Sequence, residues 1–170
     1  MGDGFTVGAD VGSWGFSEGA YPLGADSWVD KEVMDKNQQL YINIMGYHAS
    51  ADCSISPWRK DGAVAHELWG LAKSQINIGV GLFFFNMSSD YTVLGEPTWG
   101  ALAPRCPEIS EDECVCDGIP IVGLAQAEAI GRFVREEGFR GVFPWASNYD
   151  VLGTGDGSLI SRLGRGLGLA

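Results

Sequence analysis

Apolar residues in this chain fall into short, nearly continuous runs separated by stretches with helical spacing, and that alternation predicts an α/β fold with a parallel sheet. Three runs read as strands. Residues 40–48, Leu40-Tyr41-Ile42-Asn43-Ile44-Met45-Gly46-Tyr47-His48, are rich in β-branched and aromatic side chains. Residues 75–86 are apolar almost throughout, as in a strand covered on both faces. Gly141-Val142-Phe143-Pro144-Trp145 follows a helical stretch and then breaks into polar residues. Helices are expected from Asp26, acting as a cap with Trp28, Val29, Val33 and Met34 on one side, over residues 63–72, and over 121–137. In the last of these Leu124, Ala127, Ile130 and Val134 repeat at helical spacing, and Gly138 stands where the helix should stop. A final helix is expected at 158–163. Residues 1–24 carry Gly2, Gly4, Gly8, Gly12, Gly15, Gly19 and Gly24 and read as irregular apart from a short strand at Phe5-Thr6-Val7. Residues 87–120 read as a long irregular loop insertion. The order, helix and strand in turn, implies right-handed parallel units.

Length and composition narrow the reading. A chain of 170 residues with 45% hydrophobic content holds one domain, 1–170, with a real core, and 25 glycines suit a loop-rich protein. The net charge of −11 argues against nucleic acid or an anionic membrane as partner. No apolar run reaches the roughly 20 residues of a membrane helix, and the first residues have neither the basic nor the apolar segment of a signal peptide. Cys53, Cys106, Cys114 and Cys116 favour disulfides bracing a long loop over zinc, because Cys-x-Cys is not the usual ligand spacing and neither histidine is near. Four cysteines leave three pairings open. With the sequon Asn86-Met87-Ser88 they point to an exported parent protein. No metal or cofactor is expected.

Candidate chemistry lies where the strands end. Ligands of α/β folds sit at the carboxyl ends of strands. There this chain places Tyr47 and His48 after one strand, and Trp145, Asn148, Tyr149 and Asp150 after another. A flat apolar ring with polar neighbours suits the face of a sugar. His66, within a helical stretch, reads as an ordinary helix residue.

The strand runs, taken in order, resemble the later strands of family 18 glycoside hydrolases, the chitinase-like (β/α)8 barrels. Residues 41–47 resemble the sixth strand with its Met-x-Tyr-Asp signature, residues 75–83 the seventh, and residues 141–150 the eighth, whose Trp floors the sugar pocket. The likeness spans roughly residues 38–168 and implies a partial barrel, its later three to four βα units. It also implies that Tyr47 hydrogen-bonds a substrate N-acetyl group, that Met45 lies beneath the same pocket, and that Trp145 stacks under the sugar. The family uses substrate assistance, an internal nucleophile held in place while one glutamic acid protonates the leaving oxygen.

Two departures matter. His48 stands where the signature has Asp, and a histidine supplies no fixed negative charge. The acidic motif Asp-x-x-Asp-x-Asp-x-Glu is absent; Glu67, Glu96, Glu113, Glu128 and Glu137 fall in helical or loop segments. Losing the general acid costs on the order of 10²–10⁴ in rate. No catalytic residue is therefore assigned. Three readings follow: the carboxy-terminal half of a chitinase-like hydrolase that acts on or binds N-acetylglucosamine glycans, inactive as it stands; a lectin-like module; or a structural protein whose aromatics are core. A half-barrel would expose unpaired strand edges, so self-association is expected.

Overall fold

A computed structural model describes residues 6–12, 30–84, 98–106, 110, 112–151 and 155–169. Within them, four strands, β1 (Val7–Gly12), β2 (Leu40–Met45), β3 (Ile76–Gly81) and β6 (Gly141–Trp145), form a parallel sheet in the order β1-β2-β3-β6. Each strand lies beside its predecessor in that sheet. Such a singly wound order sends the crossovers to one side and leaves the opposite face to the strands' own side chains, as in a barrel. Ile42-Asn43-Ile44 and Ile76-Asn77-Ile78 are identical triplets and lie in register. The isoleucines face the helices and are fully buried, each contributing about 1.5–3 kcal/mol of transfer free energy. The asparagines face the other way.

The helices cover one face. α1 (Lys31–Lys36) is capped by Asp30, whose carboxylate accepts from the Glu32 and Val33 amides. The cap is thus Asp30 and not Asp26, which with Trp28 and Val29 lies outside the described residues. α2 (Ser56–Ala63) continues as a π-helical turn at Val64–Leu68. Its start corrects the expected helix at 63–72: Pro57 occupies the first turn, where a missing N–H costs nothing. His66 lies in the π turn, exposed, with Nδ1 2.8 Å from the Leu71 carbonyl oxygen. α4 (Leu124–Glu137) ends on Gly138 at φ 75°, and α5 (Leu159–Leu167) ends on Gly168 at φ 80°. Trp58, Trp69, Ile130, Phe133, Val134, Leu159 and Leu163 join the strand isoleucines in one core.

Two further expectations change. The strand near the amino terminus is Val7–Gly12, six residues rather than three, held by a full parallel register with β2 from Val7↔Leu40 to Gly12↔Met45. Its glycines had read as loop, but pairing overrides their low strand preference. The segment 87–120 is not irregular throughout. It contains the short helix α3 (Trp99–Leu102) and a hairpin of β4 (Val115–Cys116) with β5 (Ile119–Pro120). The hairpin turns on Asp117-Gly118, both at positive φ, which is the signature of a two-residue type I′ loop. Disulfides join Cys53 to Cys114 and Cys106 to Cys116. The sequon at residues 86–88 lies outside the described residues, as does Glu96. Among the described residues no helix is long and apolar enough to cross a membrane.

Candidate functional site

The face turned away from the helices carries Asp10 on β1, Tyr41, Asn43 and Met45 on β2, Asn77, Gly79 and Gly81 on β3, and Gly141, Phe143 and Trp145 on β6. Across its middle the Asn43 amide donates to Asp10 Oδ1 at 2.8 Å, and the Asn77 amide donates to Asn43 Oδ1 at 2.9 Å. This polar row was not among the expected site residues. Its sequence signal is the asparagine inside each Ile-Asn-Ile triplet, since a polar residue in an apolar strand needs a partner when covered.

Nearer the carboxyl ends of the strands the face becomes aromatic. Tyr47, two residues past the end of β2, meets Phe83 edge-on at 5.5 Å between ring centroids and Phe143 at 6.1 Å. Phe83 in turn meets Tyr149 at 6.3 Å. Glycine makes room for this row. A Cβ on Gly79 would stand 2.8 Å from the Phe143 ring and 2.2 Å from the Ile44 carbonyl oxygen, and one on Gly81 would stand 3.0 Å from the Tyr47 Cβ. The Tyr47 hydroxyl is buried and finds no hydrogen-bond partner among the described residues. Burial, and secondly the charge of Asp10, push its phenol up to about 12. It is therefore a neutral donor at any physiological pH.

Trp145 closes β6. It is 49% exposed, whereas Trp58 and Trp99 are fully buried. Its carbonyl accepts from the Leu82 amide at 2.9 Å, and the Trp145–Ala146 peptide is cis. Asn148 lies exposed in the 3-10 turn Ser147–Tyr149 that follows. Met45, on the same face as Trp145, is half-buried.

Asp150 and His48 point to other work. The Asp150 carboxylate is buried and accepts from the Ser158 hydroxyl at 2.7 Å and from the Leu159, Ile160 and Val151 amides at 3.1, 2.9 and 2.8 Å. It caps α5 from a distance, supplying acceptors to amides that have no partner within the helix and a negative charge to its positive end. Asp150→Ala is expected to lower stability by about 2 kcal/mol, read by urea denaturation. A loss under about 0.5 kcal/mol would mean water replaces the cap. His48 turns to the helix side, where its Nε2 lies 2.7 Å from Oδ2 of the buried Asp61. Asp61 was not foreseen; a single acid just ahead of the helix expected at 63–72 gives no sequence signal of what faces it.

The structure thus gathers Tyr47, Met45 and Trp145 on one face at the carboxyl ends of the strands, leaves Asn148 nearby on the surface, and places Asp150 and His48 in packing contacts. Cys53, Cys106, Cys114 and Cys116 are all consumed in disulfides.

Neither a family model nor a curated protein sequence matches the chain. Among solved structures it is similar to a chitinase from Bacteroides thetaiotaomicron, with a TM-score of 0.71 and 17% identity over 99% of this chain and 54% of that one. It is likewise similar to the GH18 chitinase ChiB from the chitin utilization locus of Flavobacterium johnsoniae, with a TM-score of 0.69 and 13% identity over 94% of this chain and 48% of that one. The chain spans about half the length of these chitinases. At such identities the likeness is one of fold: a parallel four-stranded sheet and its helices that resemble part of a chitinase barrel.

Proposed function

We propose that this chain forms the later part of a chitinase-like barrel and that its role there is to bind a glycan containing N-acetylglucosamine. The observation that carries the reading is the half-exposed indole of Trp145 at the carboxyl end of β6, on the face that also bears Met45 and Phe143. An aromatic ring half-exposed at a strand end, while Trp58, Trp69 and Trp99 are buried, offers a flat apolar surface for a ligand to stack on. The apolar face of a pyranose is a chemically matched one. In this reading Tyr47, held neutral, offers its hydroxyl to an acetamido carbonyl.

Binding, and not hydrolysis, is the activity proposed. The residues present contain no acidic ladder that would raise and position a proton donor for the leaving oxygen. The exposure of that ring, where Trp58 and Trp99 are buried, is the feature that favours a glycan over a purely structural role.

Calorimetric titration with the tetramer of N-acetylglucosamine tests this directly. Saturable binding is expected, weakened at least about tenfold in Trp145→Ala, or about 1.4 kcal/mol. A folded chain that takes up no tetramer, or a Trp145→Ala variant that binds as well as the parent, would discard the reading.

A further inference from the structure

β2 ends at Met45, and the Gly46 amide turns back to the Ile44 carbonyl at 2.7 Å. Gly46-Tyr47-His48 therefore leaves the ladder just where Tyr47 is presented, and something else must fix it. What lies against it is Asp61, in the second turn of α2, with a side chain 5% exposed. Its Oδ2 is 2.7 Å from His48 Nε2. An ionised carboxylate accepts and cannot donate, so Nε2 carries the proton. The same carboxylate is pressed against the backbone: a Cβ on Gly46 would stand 2.4 Å from Asp61 Oδ2 and 3.3 Å from His48 Nε2. The His48 ring stands perpendicular to Trp58, 5.3 Å between centroids, and the Trp58 indole N–H donates to the Gly79 carbonyl at 3.1 Å. His48 is thus held from α2, the Asp61 carboxylate packs close over Gly46, and Tyr47 between them goes to the opposite face.

We propose that Asp61 is a positioning residue for Tyr47, acting through His48 and the backbone of Gly46. Where it concerns a glycan, this rests on the binding reading above; the positioning itself does not. Burial raises the Asp61 carboxyl above its ordinary 3.8, while the hydrogen bond and charge of His48 and the charge of Lys60 act the other way. The sign follows from linkage. A carboxyl raised on folding contributes stability while it is protonated, and that contribution is lost as pH rises through its folded value. Ionised Asp61 is therefore a cost that the structure carries at neutral pH, and Asp61→Asn, which removes the charge and keeps the side chain's size, is expected to fold. The pairing with His48 has the opposite dependence. It is lost as pH falls through the raised range of Asp61, because the carboxylate no longer carries the charge that holds the imidazole.

The test follows the Tyr47 ring and the Asp61 carboxyl carbon by NMR from about pH 7 to about pH 3, on the whole chain with its disulfides intact. The Tyr47 signals are expected to move in step with Asp61, with a midpoint above 3.8, and the step is expected to vanish in Asp61→Asn. That variant is also expected to bind the N-acetylglucosamine tetramer about tenfold more weakly at pH 7. Tyr47 signals that stay flat while Asp61 titrates in the parent chain would overturn the proposal, even were the variant to misfold. So would an Asp61→Asn variant that binds as the parent does. If the parent binds no tetramer yet Tyr47 follows Asp61, the glycan reading falls and the positioning stands.

Discussion

Replacing Cys53 and Cys114 together by alanine is expected to remove about 4 kcal/mol of stability. Their disulfide closes a loop with a sequence separation of 61 residues, which contains α2 and β3. The chain entropy withheld from the unfolded state grows with the logarithm of that length. The Cys106–Cys116 bridge, with a separation of 10, is expected to contribute about 2.5 kcal/mol by the same relation. The bridges also differ in what they hold. Cys53 follows β2 and Cys114 begins the hairpin, so the longer one ties the loop after one strand to the excursion after the next. That loop end is braced a second time, by the Gln126 side-chain amide donating to the Ser54 carbonyl at 2.9 Å. Urea denaturation of the two double alanine variants checks the order. If losing the short bridge proves as costly as losing the long one, native contacts around Cys116 outweigh loop closure in setting what each bridge contributes.

The second large effect lies where α4 and α5 cross. Gly166 of α5 approaches so closely that a Cβ would stand 2.1 Å from the Glu128 carbonyl oxygen and 2.8 Å from the Arg132 amide. A Cβ on Gly131 of α4 would stand 2.3 Å from the Leu163 carbonyl oxygen. These are backbone atoms, which no rotamer change can move aside. The crossing must open instead, and with it the burial of Ile130, Val134, Leu159 and Leu163. Gly166→Val is therefore expected to cost at least about 3 kcal/mol. Gly164 supplies the control on the same helix: nothing lies within 4 Å of a Cβ built there. Gly164→Ala is expected to gain a few tenths up to about 1 kcal/mol from helix propensity alone. Similar melting shifts for both variants would refute the interlocking account.

Those glycines show how far the linear pattern reaches. In sequence, Gly131 looks like a weakness inside a helix and Gly166 falls beyond the helix expected at 158–163; each is explained by a backbone atom on the partner helix. The hairpin at residues 115–120 was legible in principle, since Asp117-Gly118 between short apolar pairs is a strong turn signal. The helix expected at 63–72 starts earlier, at Ser56, because a proline such as Pro57 fits a loop and a first helical turn equally well.

The chain's own pattern located β2 (Leu40–Met45) within residues 40–48, β3 (Ile76–Gly81) within 75–86 and β6 at Gly141–Trp145, though the first two strands are shorter than the apolar runs. It also located the helix ending at Gly138 and the placing of Tyr47, Met45 and Trp145 at or just past strand ends. Period and composition encode these, and both are local. The tertiary structure decided the rest. It drew β1 out of a glycine-rich segment by pairing it with β2, and chose one disulfide pairing of three. It gave the Asp150 carboxylate to the amino end of α5, eight to ten residues on, and turned His48 away from Tyr47 toward Asp61. Each of these outcomes depends on a partner supplied by another element. A residue's own type and spacing state what it can bond, and the packed neighbour determines which bond it makes.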